Sequence, residues 1–160
     1  MGKIIVLIII TVCSLLVMLN YPDTLTIFNL KPDFFIIILI FSSIYLAKNQ
    51  SKVIILAGGL LKDVFTYGPF GMHIISFVVC GYVALRLKSY FYRERFLEQA
   101  LFVFLISMVN VISVCILRAF FFQPHLIFSI FLKGIVESIF TSLIAPLMLT
   151  SIKKCVPRYS

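Results

Sequence analysis

Four ionisable residues, Lys62, Asp63, Lys133 and Glu137, stand inside stretches that are otherwise apolar. A charge at the centre of a membrane helix costs about 2.5–3.5 kcal/mol on insertion scales, so such groups need a partner, hydration or a task. Counted in from Val53 at about 1.5 Å per residue, Asp63 lies about 15 Å deep; counted in from Leu126, Lys133 and Glu137 lie about 10 and 16 Å from the opposite face. All four therefore share a mid-membrane depth. Lys133 and Glu137 are four apart on one helix face and can pair with each other, and Asp63 can join them across the bundle. Three kinds of chemistry are open to this cluster: pairing that fixes helix packing, a ligand or proton path, and a charged face that meets another membrane protein.

Other residues offer less. His73 and Ser76 are three apart at the start of an apolar segment, a poor nucleophile–base geometry, and neither a G-x-S-x-G elbow nor an oxyanion-hole loop accompanies them, so no enzyme is expected. His125, beside Pro124, reads as an interfacial turn residue. Cys13, Cys80, Cys115 and Cys155 fall one to a segment, without a C-x-x-C pair or a histidine at ligand spacing, and read as small apolar packers. No disulfide scaffold, metal or cofactor is expected. Asn110 is placed to hydrogen-bond a neighbouring helix, and Gly58, Gly59 and Gly81 to let helices approach closely.

The elements that position these residues follow from composition. The chain has 160 residues, 62% hydrophobic and 12% charged, against roughly 45–50% and about 25% in an average soluble domain. Apolar runs recur along the whole length, so the chain reads as a single membrane domain in the lipid bilayer, residues 1–160, all-α. The spans are expected at about 4–19, 30–47, 53–68, 72–88, 97–122 and 126–152, a bundle of six transmembrane helices. Segment 4–19 follows Lys3 but precedes no A-x-A-like cleavage site, and reads as an uncleaved span. The Gly68-Pro69-Phe70-Gly71 run ends the third segment.

The net charge of +8 belongs to loops between spans, which argues for topology and not for nucleic acid. With six spans, the N-terminus, the 48–52 loop, the 86–98 loop and the tail share one side. They carry Lys3, Lys48, Lys52, Arg86, Lys88, Arg93, Arg95, Lys153, Lys154 and Arg158, ten of the 14 basic residues, and the positive-inside rule puts both termini in the cytoplasm. Reading the third segment as a re-entrant hairpin would leave five spans and move basic regions outside.

Two local patterns then combine: Pro32-Asp33 followed at once by an apolar run, and Gly59-x-x-x-Asp63-x-x-x-x-x-Pro69-Phe70-Gly71. In a chain of this size and topology they resemble the MreD family of rod shape-determining membrane proteins over residues 31–90. Lys62 departs from the pattern, since a family member more usually carries an apolar residue there. The resemblance implies a non-catalytic scaffold of the elongasome in the bacterial inner membrane. It implies binding to MreC and, through it, coupling of MreB filaments to RodA and the elongation transpeptidase in peptidoglycan synthesis. Pro32, Asp33, Gly59, Asp63, Pro69 and Gly71 become its partner-binding or structural residues. It also implies a fold similar to the substrate-binding subunits of energy-coupling factor vitamin transporters, the rival reading. Those subunits dock through an A-x-x-x-A surface on the first span, and segment 4–19 contains no alanine.

Overall fold

The computed structural model describes residues 33–66, 70–90, 95–121 and 127–155. They form five helices: α1 (Phe34–Tyr45), α2 (Lys48–Phe65), α3 (Met72–Leu87), α4 (Phe96–Phe121) and α5 (Ile127–Cys155). The expected span at 4–19 lies outside the described residues, as do Lys31, Pro32 and Pro69.

Helix α1 is apolar on every side, FFIIILIFSSIY, and each residue from Phe35 to Ile44 is buried. A helix hydrophobic all round belongs inside a bundle, and α1 touches each of the other four helices. Its 12 residues reach only about 18 Å, well short of the roughly 30 Å hydrocarbon core. Its C-terminal end is closed from outside: Lys88 Nζ donates to the Ser43 carbonyl at 3.0 Å, a cation on the carbonyl end of a helix.

The expected 48–52 loop is helical. Only Leu46 and Ala47 separate α1 from α2, and Lys48 and Lys52 belong to the first turns of α2, both exposed. Nothing in Lys-Asn-Gln-Ser-Lys breaks a helix, so once α1 has ended the next helix starts at once. Along α2 the buried positions are Ser51, Ile54, Ile55, Gly58, Gly59, Lys62 and Asp63, a single face at helical period. The two charged residues therefore continue the stripe that packs inward. The opposite stripe, Val53, Leu56, Leu60 and Val64, is exposed and apolar, as suits contact with lipid.

Helices α2 and α3 approach closely at two glycines. A Cβ on Gly59 would stand 2.9 Å from the Cα of Ile74, and one on Gly81 would stand 2.5 Å from Ile55 Cδ1. Helices α4 and α5 form a second, longer pair. Ser107 Oγ donates to Ser138 Oγ at 2.9 Å, and Gly134 admits Val111, whose Cγ1 would lie 2.6 Å from an added Cβ. Both helices are long and apolar enough to cross a bilayer. Hydroxyl groups in α5 turn back on their own helix, Thr141 to the Glu137 carbonyl and Thr150 to that of Pro146, each at 2.7 Å. Such bonds keep a polar group satisfied where no water is available.

Candidate functional site

The charges of the α2 C-terminal end sit where three helices meet. Asp63, on the last turn of α2, accepts three backbone hydrogen bonds from the start of α3. These come from Gly71 N at 3.0 Å and Ile74 N at 3.1 Å to Oδ2, and from His73 N at 2.9 Å to Oδ1. The first N–H groups of a helix have no partner within it, and no side chain of α3's own N-cap, Gly71, is available to serve them. Asp63 supplies that cap from the neighbouring helix, and its negative charge meets the positive end of the α3 dipole.

The geometry of the turn explains two glycines. Gly71 has φ +99°, a conformation that side-chain-bearing residues avoid and glycine does not. It brings the α3 amides to face Asp63. Gly59, one turn before Asp63, removes the Cβ that would push α3 away. The Gly59, Asp63 and Gly71 spacing is thus the spacing of a helix–turn–helix closed by one carboxylate.

Lys62 turns to α1. Its Nζ makes an ion pair with Asp33 Oδ2, with side chains only 11% and 16% exposed. It also lies 5.3 Å from the centroid of the Phe77 ring, a cation–π contact. Asp33 is the N-cap residue of α1, and its backbone N–H donates to Thr141 Oγ1 on α5 at 3.1 Å. The start of α1 is therefore held by α2 through a charge and by α5 through a hydroxyl.

The expected assembly of Asp63 with Lys133 and Glu137 is not what the structure contains. Asp63 is committed to the α3 amides, and the lysine beside it pairs with Asp33. Lys133 is exposed on the surface of α5 and Glu137 is half-buried. Glu137 lies one turn before Thr141, whose hydroxyl donates to the Glu137 carbonyl and accepts from the Asp33 amide, so it borders the junction without closing it. Equal depth along the chain did not specify which helix faces meet. The pairing of Lys62 with Asp33 was not anticipated, although an acid before one apolar run and a base late in the next carry a visible signal: their positions allow one to neutralise the other.

Asn110 does bond a neighbouring helix, accepting from Ser76 Oγ at 2.7 Å. Cys80 and Cys115 are free and buried. His73 is buried, and among the described residues neither ring nitrogen has a hydrogen-bond partner.

Buried helix starts tied by side chains, hydroxyls folded onto their own helices and an apolar outer surface define an all-helical membrane protein. The chain belongs to the MreD family: the model of rod shape-determining protein MreD matches residues 1–155. It is accordingly a structural membrane protein of rod-shape determination. No curated protein and no solved structure matches the chain, so the expected likeness to energy-coupling factor subunits rests on no structural comparison.

Proposed function

We propose that the protein is a non-catalytic scaffold of the cell-elongation complex, spanning the cytoplasmic membrane six times with both termini inside. In this reading it binds MreC directly and helps couple MreB filaments to RodA and the elongation transpeptidase. The observation that carries the reading is the commitment of the motif residues to architecture. Asp63 and Gly71 build the α2–α3 turn, Asp33 and Lys62 lock α1, and what remains for a partner is the apolar outer surface and short loops. The basic residues of the 86–98 region and the tail support the orientation, and the family match supports the process.

Depletion of the protein in its native bacterium, followed by microscopy and affinity capture of the tagged chain, tests this. The expected outcome is loss of rod shape, with MreC recovered. Cells that stay rod-shaped with no MreC recovered overturn it. A vitamin retained through purification would favour the transporter subunit instead.

A further inference from the structure

Two faces of α5 differ in what covers them. Gly134 and Ser138 pack on α4, Thr141 meets the start of α1, and Ala145 and Leu149 continue this buried face. About 120° around the helix runs a second stripe, Lys133, Glu137, Phe140, Ile144, Leu147 and Ser151, in which each residue is half-buried or exposed. Its members are spaced four and three apart in alternation, the seam of 3.5-residue period along which two helices pack at a shallow crossing angle. From Lys133 to Ser151 the stripe extends about 27 Å, nearly the depth of the hydrocarbon core.

Two charges stand in this stripe. Glu137 lies ten residues after the start of α5 at Ile127, about 15 Å of helix, too far for a side chain as short as glutamate to reach its end. Lys133, one turn earlier, is exposed on the outer surface. Among the described residues neither makes an ion pair, with the other or with a third group. Lysine before glutamate is the weaker order for pairing within one helix, and side chains lean towards the helix N-terminus, which carries the lysine away from the glutamate. Charges inside a bilayer call for a counterpart.

We propose that a second copy of this chain docks along the α5 stripe, with Lys133 and Glu137 pairing reciprocally across a twofold axis. Two copies inserted in the same orientation are related by an axis along the membrane normal, so their α5 helices run parallel and equal residues share a depth. Each Lys133 then stands one turn, about 6 Å of rise, from Glu137 of the second copy, and that glutamate leans along its helix towards the lysine. One charge of each sign, one turn apart on an exposed stripe, makes the surface complementary to itself, and the four charges of the pair sum to zero. Phe140, Ile144 and Leu147 supply the apolar layers beyond them. The inference does not depend on the scaffold reading.

The test is the mass of the purified full-length chain in mild detergent by light scattering, together with capture between two differently tagged copies expressed in one cell. The parent should have twice the mass of one chain. K133E and E137K each bring four like charges together and should weaken self-association at least tenfold. Expressed together, K133E should capture E137K as well as the parent captures itself, an exchange that a pair confined to one chain does not produce. If E137K fails to fold, L147W, within the stripe, should weaken association, and I139W, on the exposed face outside it, should not. A monomeric parent, a different protein in place of the second copy, or a dimer that neither K133E nor L147W weakens overturns the proposal. So does failure of folded K133E and E137K to capture each other.

Discussion

The α2–α3 and α4–α5 hairpins solve the same problem with different means. In α2–α3 the start of the second helix is enclosed by protein, and a carboxylate from the first helix serves its amides. A neighbouring lysine then reaches across to anchor α1. In α4–α5 the helices run to 26 and 29 residues, and a serine pair, Ser107 with Ser138, joins them midway. Long apolar helices satisfy their own backbones along most of their length. Short ones that begin inside a bundle leave donors that only a neighbour can reach. Charge is thus concentrated where helix ends are buried.

The difference sets an order of sensitivity. Removing one partner of the Lys62–Asp33 pair, as in K62M or D33L, should destabilise by about 3–5 kcal/mol because the other charge stays buried and unpaired. The double variant should recover most of that loss, since both charges leave together; thermal unfolding of the four proteins checks this, and a purely additive double would break the pairing. Asp63→Ala should cost on the order of 3 kcal/mol by stranding α3 amides, seen as reduced membrane accumulation. Pairing Asp63→Lys with Lys133→Asp should give no rescue, because the two residues do not meet.

Smaller effects follow from the backbone. Gly71→Ala should cost about 1–2 kcal/mol for its left-handed φ. Gly59→Ala should cost about 1–3 kcal/mol by overpacking against Ile74. Unfolding midpoints in one detergent would rank them below Asp63→Ala. Ser107→Ala in α4 should cost only about 0.6 kcal/mol, the usual size of an interhelical hydrogen bond in a membrane. A Ser107→Ala loss as large as that of Asp63→Ala would erase the distinction between the two hairpins.

Much of this was legible in the chain. Apolar runs marked α3, α4 and α5 to within a few residues, because a helix that must hide its backbone has to be continuously apolar. The Gly59, Asp63 and Gly71 spacing was visible too, and so was the isolation of four charges in apolar surroundings. Helix pairing was not legible. Lys62 and Asp63 are adjacent, so they leave α2 about 100° apart, and which neighbour each met depended on how α1 and α3 were placed around α2. The sequence by itself determined that charges would stand in apolar surroundings and therefore need partners. Only the tertiary structure decided that Asp63 would find backbone amides and Lys62 a carboxylate 29 residues earlier, because partners across helices are set by packing and not by depth.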